Sequence, residues 1–578
     1  METAAPSVTK KLKIIALFYF FACLIISARL FYLQIYLNKD FYHRSQQNFL
    51  RFETINSRRG NILDCNGKLL ATNKPITNIY WHGTGNRSLD EAQLEALETI
   101  SEIIMQPIDQ SFMNDLKFTE RTSKKMLIFP NVSFEQLSKI TELFPNHQNI
   151  AIETELKRCY PHGPLASHVI GYISSINSQG EGKMGIEKIF EYALRGQQGT
   201  LMKMINSVGS NLYVEEISKA FAGNDIITTI DLDLQQIAES VFPIDQSGSL
   251  IIMNPRTGAI KTIVSHPTFD PSIFLDPIRF EEWKNLQERQ PFLNRALCCY
   301  PPASPFKLVT LSAAIEQKII SPETITYCRG FTRFRGRKYH CAQKLGHGAL
   351  TVQEAVAQSC NILFFELAKK LSIDVLADYA NRFGLGQKTN VMLPEAIGLI
   401  PTTEWKQRTK GERWWPGENL SAVIGQSYLL VTPLQTARMI ASIFTGYLIN
   451  PRIIESQPIE KHPLHIKGDT LKFLRKTMKA VVSDGTAHRL HQIKDSKIYA
   501  KTGTAQTSSL EKKESGETKY LEHGWLAAYV KLPQQDPYVM VLLIENVGSS
   551  KEAIKIGKQF IIAHRNMINE NKSVKTAA

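Results

Sequence analysis

The segment CCYPPASPFKLVTL places a hydroxyl and an amine at the start of an apolar run. Ser304 and Lys307 are three residues apart, and Pro305 follows the serine directly. Because proline is favoured in the first turn of a helix, the sequence predicts Ser304 at or next to a helix N-cap. Residues three apart share a helix face, so the Lys307 amine is expected within reach of the Ser304 hydroxyl. A capping serine beside a solvated lysine would give the same pattern.

Two further motifs make a nucleophilic serine the better interpretation. Ser359 and Asn361 lie inside an apolar helical pattern, VQEAVAQSCNILFFELA, where polar side chains must find partners. The other motif, AKTGTAQT, is predicted to be a strand in which a glycine allows close approach of a backbone or a ligand. The central residues of this motif are Lys501, Thr502, Gly503 and Thr504.

The order Ser-x-x-Lys, Ser-x-Asn, Lys-Thr-Gly is the signature of penicillin-recognising serine acyltransferases. The chain resembles the class B penicillin-binding proteins, which are membrane-anchored peptidoglycan transpeptidases, and within them the elongation-type branch. The similar segments include RRGNILDCNG, RCYPHGPLASHVIGY, MGIEKIFEYALRGQQG, TIDLDLQ, NPRTGAI, HPTFDP and IGQSYLLVTPLQTA. The sequence departs from the family at Ala303 and Ser427, where glycine is usual.

The chemistry of these residues suggests their roles. A serine needs a neighbour that takes its proton, and a lysine that is partly desolvated and crowded by Lys501 should have a lowered pKa. We therefore expect Ser304 to be the nucleophile and Lys307 the acylation base. Ser359 is expected to relay a proton to the leaving group, and Asn361 to hold Lys307 and the substrate amide.

The Lys-Thr-Gly strand is expected to bind the donor substrate. Lys501, Thr502 and Thr504 would bind its terminal carboxylate, and Gly503 would keep the strand clear for substrate. The resemblance also implies that the backbone N–H groups of Ser304 and Thr504 form the oxyanion hole, a large electrostatic contribution in acyl transfer.

Three cysteines and a histidine crowd into one short region of the same domain. Three thiolates and one imidazole are a known ligand set for structural zinc, although the spacing is not that of a zinc finger. The alternatives are His340 in place of the predicted histidine, a Cys328–Cys341 disulfide, or unpaired buried thiols. The predicted ligands are Cys328, Cys341, His347 and Cys360.

Cys360 stands between Ser359 and Asn361. Neighbours on a helix point in different directions, so Cys360 is expected to face away from the cleft. A metal there would fix the helix that presents the second motif. The chemistry itself requires no cofactor.

The elements around these motifs predict the fold. SGSLIIMNPRTGAIKTIVSH is typical of a hairpin, and three apolar runs near the end of the chain predict three more strands. Strands first and last with helices between them indicate one antiparallel sheet covered by helices, an α/β (α+β) domain. The resemblance implies the penicillin-binding transpeptidase fold, preceded by an elongated mixed pedestal.

The N-terminus predicts a membrane anchor. An apolar stretch reaches the ~20 residues that cross a bilayer, and Lys10, Lys11 and Lys13 before it place the N-terminus in the cytoplasm. A cleaved signal peptide is the alternative, but IISARL is a poor cleavage site. The predicted divisions are a cytoplasmic tail (1–13), a transmembrane anchor (14–37), a pedestal of the dimerisation type (40–235) and a transpeptidase domain (246–570).

Composition limits the class of protein. The 578 residues are 43% apolar and 21% charged, which indicates a folded chain of several domains. The net charge of +14 allows anionic partners, but no nucleic-acid-binding signature accompanies it, so nucleic acid is discounted.

The leading hypothesis is D,D-transpeptidation in the bacterial inner membrane with the catalytic domain in the periplasm. A D-Ala-D-Ala stem peptide would acylate Ser304, and β-lactams would acylate the same serine. The resemblance implies a polytopic glycan polymerase and a shape-determining scaffold protein as partners. The sequence leaves open a septal transpeptidase, a β-lactam sensor or β-lactamase, and a mainly scaffolding role.

Overall fold

The computed structural model describes residues 6–39, 41–42, 50–122, 124–145, 147–174, 180–205, 211–507 and 517–577. The chain forms two compact units. The smaller unit comprises Met1–Arg58, Lys74–Lys157 and Gly196–Gly223, and the larger comprises Arg59–Asn73, Arg158–Arg195 and Asn224–Ala578. Three segments that the sequence assigned to the pedestal, 59–73, 158–195 and 224–235, therefore cluster with the larger unit. The domain boundaries drawn from the sequence stay predictions.

One long helix occupies the N-terminus. An α-helix runs over Pro6–Phe31 and continues as a π-helix over Tyr32–Tyr36. Among the described residues, Lys10–Tyr36 is the one stretch of helix long and apolar enough to cross a membrane, and none of it is buried in the protein. Its position matches the predicted anchor at 14–37.

The remainder of the smaller unit mixes helices with two groups of strands. Its helices are Glu91–Ile104, Gln110–Arg121 and Phe134–Leu143. One group of strands contains Lys125–Phe129, Ile150–Cys159 and the later part of Leu69–His82. The other is an antiparallel sheet of Leu50–Ile55, Gly199–Ile205 and Asn211–Ser218. Trp81, Leu97, Ile100, Leu116 and Ile140 form the centre of a small apolar core.

The larger unit is built on a five-stranded sheet in which every neighbouring pair is antiparallel. The strands, in the order β2-β1-β5-β4-β3, are β1 (Gly248–Met253), β2 (Ile260–His266), β3 (Lys497–Ala505), β4 (His523–Lys531) and β5 (Tyr538–Ile544). All of β5 is buried, as its unbroken apolar sequence requires for a central strand. The sheet confirms the predicted α/β (α+β) arrangement.

Helices cover both faces of this sheet. The helices used below are α1 (Lys307–Glu316), α2 (Val352–Ala357), α3 (Asn361–Ala368), α4 (Pro433–Thr445), α5 (Gly468–Ser483) and α6 (Lys551–Ala577). The ring of Phe444 in α4 stacks on Tyr529 with centroids 3.8 Å apart, whereas Gly557 in α6 lies against Leu526. Residues 526 and 529 point to opposite faces of β4, so α4 and α6 pack on opposite sides.

Shorter elements complete the larger unit. The helices are Ser167–Ile170, Gly185–Ile189, Glu191–Arg195, Leu232–Ser240, Phe280–Arg289, Ile373–Arg382, Thr403–Lys410 and Pro416–Ala422, with single 3-10 turns at Pro271–Leu275, Ser304–Phe306, His488–Leu490 and Thr518–Tyr520. The short strands are Ile62–Leu63, Ile173–Ser174, Glu181–Gly182, Ile226–Ile227, Ile325–Cys328, Phe331–Phe334, Arg337–His340, Gly348–Thr351, Tyr447–Ile449 and Lys461–Pro463.

Candidate active site

Ser304 opens a single 3-10 turn, Ser304–Phe306, that leads into α1 at Lys307. The residue before the turn is Ala303, with φ 50° and ψ −148°. This backbone conformation is one that glycine adopts freely and other residues rarely adopt. Ala303 therefore keeps a backbone conformation that suits glycine, the residue that is usual at this position in the family it resembles.

The Ser359 hydroxyl is the centre of the hydrogen-bond network. It donates to Ser304 Oγ at 3.1 Å. It accepts from Lys307 Nζ at 3.3 Å and from Lys501 Nζ at 3.0 Å. The recorded link between Ser304 and Lys307 therefore runs through Ser359 Oγ, whereas the sequence predicted a direct approach along one helix face.

Lys307 is held by the second motif. Its Nζ donates to the carbonyl oxygen of Ser359 and to Oδ1 of Asn361, both at 2.8 Å. The amine is therefore fixed beside the Ser359 hydroxyl, as expected for the role predicted for Asn361. The structure brings together Ser304, Lys307, Ser359, Asn361 and Lys501.

Burial lowers the pKa values of both lysines, and a lowered pKa is what a catalytic base needs. Both side chains are fully buried. Desolvation lowers the pKa of Lys307 to about 8. Desolvation, and then the charge of Lys307, lower the pKa of Lys501 well below its usual value. For Lys307 the dominant cause is burial, whereas the sequence argument also invoked crowding by Lys501.

The second motif lies at a break between two helices, not inside one helix as its apolar pattern suggested. Helix α2 ends at Ala357, Ser359 has φ 53°, and α3 begins at Asn361. The left-handed residue turns the Ser359 side chain toward Ser304. Cys360 faces away from this network as predicted, since its sulfur lies 3.9 Å from Cys341 Sγ, but the break in the chain and not helical periodicity is the reason.

Strand β3 packs against the nucleophile segment. A Cβ on Gly503 would lie 2.6 Å from Pro305 Cδ and 3.3 Å from the Ser304 nitrogen. The glycine therefore makes room for the protein's own 303–305 segment, where the sequence argument had reserved that space for substrate. Thr504 is half-buried, and Thr502 is almost fully buried.

Thr486 is a site residue that the sequence analysis missed. Its Oγ1 lies 2.6 Å from Oγ1 of Thr502. The two threonines are sixteen positions apart on different elements, so no local pattern connects them.

The segment between α3 and α4 contacts the backbone of the residue before Ser304. The Ala303 N–H donates to Gly425 O at 2.8 Å, and a Cβ on Gly425 would overlap the carbonyl of Ala303. Two residues later, Ser427 is exposed with φ 69°. The serine at this departure from the family thus keeps a conformation that favours glycine.

The predicted Cys/His cluster is assembled beside the second motif. One ligand atom from each of Cys328, Cys341, His347 and Cys360 lies within 4.8 Å of the other three. Cys341 Sγ is 3.6 Å from His347 Nδ1. The alternative ligand His340 instead lies beside Phe331, with the two rings tilted and their centroids 6.2 Å apart. All eight cysteines carry unpaired thiols, so no Cys328–Cys341 disulfide is present.

Two of the six distances within the cluster fit the edges of a tetrahedral zinc site. With the usual zinc–sulfur and zinc–nitrogen bond lengths, two sulfurs of a tetrahedral site lie about 3.8 Å apart, and a sulfur and a nitrogen about 3.6 Å apart. The observed 3.9 Å between Cys341 and Cys360 and 3.6 Å between Cys341 and His347 agree with these edges. The Asn361 N–H also donates to Cys341 Sγ at 3.4 Å, which joins the cluster to the active site.

The chain is similar to known proteins over nearly its whole length. Residues 248–564 match the penicillin binding protein transpeptidase domain, and residues 54–228 match the penicillin-binding protein dimerisation domain. The chain is 30% identical to a peptidoglycan D,D-transpeptidase MrdA of Acinetobacter baumannii over 93% of its own length and 84% of the relative's. It is 28% identical to the Escherichia coli protein of the same name, covering 95% and 92% of the two chains.

Solved structures show the same architecture. The penicillin-binding protein PBP2 of Helicobacter pylori in complex with MreC superposes with a TM-score of 0.77 at 25% identity, covering 90% of this chain and 99% of that one. A chain of a peptidoglycan synthase complex superposes with a TM-score of 0.75 at 27% identity, covering 96% and 98%. With the three motifs assembled around Ser304, the chain belongs to the class B penicillin-binding proteins, with their transpeptidase and dimerisation domains.

Proposed function

We propose that this protein is a serine-type peptidoglycan D,D-transpeptidase that cross-links stem peptides during cell elongation. The observation that carries the proposal is the network in which Ser359 Oγ joins Ser304 to two fully buried lysines. A hydroxyl becomes a useful nucleophile when a neighbouring base can take its proton, and a buried lysine of lowered pKa is such a base.

The first half of the reaction is acylation. Ser304 Oγ attacks the carbonyl carbon of the penultimate D-alanine while its proton passes to Lys307, directly or through Ser359 Oγ. The C–N bond to the terminal D-alanine then breaks, and the leaving amine takes the proton through Ser359. The product is an ester between Ser304 and the donor peptide, with free D-alanine released.

The second half transfers the donor to an acceptor. An amine of a neighbouring stem peptide attacks the ester carbonyl and loses a proton toward Lys307. The C–O bond to Ser304 breaks, the serine regains its proton, and a new amide cross-link remains. No step needs a redox partner or an external cofactor.

The donor's terminal carboxylate accounts for the remaining residues. Lys501 would pair with it, because an arriving anion favours the charged amine that burial alone disfavours. Thr502 and Thr504 would donate hydrogen bonds to it. The backbone N–H groups of Ser304 and Thr504 would bind the oxyanion of each tetrahedral intermediate.

Labelled penicillin tests the proposal. The wild-type protein should form a stable covalent adduct, and Ser304→Ala should form none. Ser321→Ala removes an exposed hydroxyl elsewhere in the same unit and should label normally. Undiminished labelling of Ser304→Ala would contradict the assignment, and rapid release of hydrolysed penicillin would favour the β-lactamase alternative.

The elongation role is supported by the relatives named MrdA and by the superposition on PBP2 of H. pylori. This similarity favours elongation over septal synthesis. A tagged copy in growing cells should appear along the side wall, and a signal confined to the division site would contradict the elongation role. If Ser304→Ala restored normal shape to a depleted strain, scaffolding would be the essential function.

Partners and location follow the same similarity. The apolar helix Lys10–Tyr36 would anchor the chain in the inner membrane, with the rest outside the cytoplasm. The related structures are a complex with MreC and a complex that couples polymerization to crosslinking. We expect a shape-determining scaffold protein and a glycan polymerase as partners here. Protease added to spheroplasts should degrade the larger unit, and its protection would overturn this topology.

We also infer that Cys328, Cys341, His347 and Cys360 hold a structural zinc ion. Two ligand–ligand distances that match tetrahedral edges support this, and three thiolates with one imidazole suit zinc. Bound there, zinc would supply structural cross-linking. Cys328, Cys341 and His347 lie between residues 325 and 351, where four short strands form two antiparallel pairs, and Cys360 lies at the α2–α3 break. The ion would therefore hold Ser359 and Asn361 in place from outside the cleft.

A further inference from the structure

A short segment between α5 and β3, the strand of the third motif, lies beside the active site. It comprises Asp484, Gly485, Thr486 and Ala487, which follow α5 directly. We refer to it as the 484–487 segment. The reaction described above gives it no part.

The 484–487 segment is attached to the residues immediately before Ser359. The Thr486 N–H donates to the carbonyl oxygen of Ala357 at 3.1 Å, and Gln358 Nε2 donates to the carbonyl oxygen of Asp484 at 2.9 Å. A Cβ on Gly485 would overlap that same Ala357 carbonyl. The backbone contact is therefore close enough to exclude any side chain at position 485.

The segment is also attached to strand β3. Thr486 is exposed, yet its hydroxyl lies 2.6 Å from the hydroxyl of the buried Thr502. Thr502 is the neighbour of Lys501, whose Nζ donates to the Thr502 carbonyl oxygen at 3.1 Å. One short segment thus contacts both the wall that carries Ser359 and the wall that carries Lys501.

The direction of the Thr486–Thr502 hydrogen bond has a chemical consequence. Each hydroxyl has one proton to donate. A carboxylate can only accept, so Thr502 can donate to it only if the bond between the threonines is donated by Thr486. When the Thr486 hydroxyl donates to Thr502, the Thr502 proton is thus free to point toward the donor's carboxylate.

We propose that Thr486 is a positioning residue that directs the Thr502 hydroxyl toward the substrate's terminal carboxylate. The inference rests on the proposed transpeptidase function and deepens it, because it concerns the recognition of the donor's C-terminal carboxylate. It predicts that the Thr486 hydroxyl matters for ligands that carry this carboxylate and not for otherwise identical ligands that lack it.

The test compares benzylpenicillin with its methyl ester as acylating agents of the full-length protein in detergent. The second-order rate constant of Ser304 acylation is measured for both. Thr486→Val should lower the acid-to-ester ratio about fivefold, because valine keeps the shape and loses the hydroxyl. Thr486→Ser should keep the wild-type ratio, because it restores the donor.

Ser483→Ala is the matched control. Its hydroxyl bonds the Asp484 carboxylate in the same stretch of chain, so the substitution perturbs the segment without touching Thr502. The control should keep the wild-type acid-to-ester ratio. A Thr486→Val protein whose rates with acid and ester fall in parallel, or do not fall, would overturn the inference. Failure of the wild type to be acylated would instead refute the transpeptidase proposal itself.

Discussion

Ala303 holds a backbone conformation, φ 50° and ψ −148°, that costs little only for glycine. Ala303→Gly should therefore stabilise the protein by about 1 kcal/mol, even though it increases the freedom of the unfolded chain. The measurement is the thermal unfolding temperature, with penicillin acylation as a check that the site is intact. Ala563→Gly, inside α6, is the control and should lower that temperature. A lower unfolding temperature for Ala303→Gly would contradict the argument.

Lys307 makes acylation depend on pH. With a pKa of about 8, about a tenth of the amine is neutral at pH 7, against roughly one part in three thousand for an ordinary lysine. The acylation rate constant should rise about tenfold per unit below pH 8 and level off above it. Lys307→Arg should abolish acylation at every pH. A flat profile from pH 6 to pH 9 would contradict the role of Lys307 as the base.

The same shift affects stability with a definite sign. The folded-state pKa of Lys307 lies below the ordinary value of 10.5. Between about pH 8 and pH 10.5 the unfolded chain therefore binds more protons than the folded one. The contribution of Lys307 to the free energy of unfolding should rise with pH across that window, and its burial costs stability below it.

At the scale of the elements, we expect the Cys/His cluster to hold the hairpin segments around Cys328 and Cys341 against the α2–α3 break. Protein purified without chelator should contain about one zinc per chain. Cys341→Ser should lose the metal and acylate severalfold more slowly, since Asn361 N–H bonds the Cys341 sulfur. Cys298→Ser, outside the cluster, should keep both properties. Absence of metal together with oxidised Cys328 and Cys341 would favour the disulfide.

The fold of the larger unit, taken whole, depends on a buried ion cluster that joins distant parts of the chain. Glu187 is fully buried and binds Arg59 Nε at 2.8 Å and Arg158 Nε at 2.7 Å. Glu187→Gln should lower the free energy of unfolding by about 3–5 kcal/mol, because the buried Arg158 guanidinium loses its carboxylate partner and Arg59 is left with Glu191. Urea unfolding measures this. Glu181→Gln removes an exposed partner of Lys183 and should change nothing measurable.

The sequence predicted which side chains lie together better than it predicted how they are arranged. Ser304, Lys307 and Lys501 were predicted to form one site because three motifs follow one another in the order of a known signature, and the strands were predicted because long apolar runs must be buried. The break at Ser359 was missed, since an apolar pattern carries no signal for a left-handed residue. Thr486 was missed because its partner Thr502 lies on another element. The packing of Gly503 against residues 303–305 was missed because packing between segments cannot be inferred from one strand.

The parts of the catalytic network come from well-separated positions in the chain. Ser304 lies 55 residues before Ser359, and Ser359 lies 142 residues before Lys501. A chain emerging on the far side of a membrane would carry an inert Ser304 until the last strands of the sheet had joined. Every molecule that penicillin labels through this network would therefore have a larger unit that is already folded around the site. The acyl adduct would then measure how much exported chain has matured, as well as how much enzyme is inhibited.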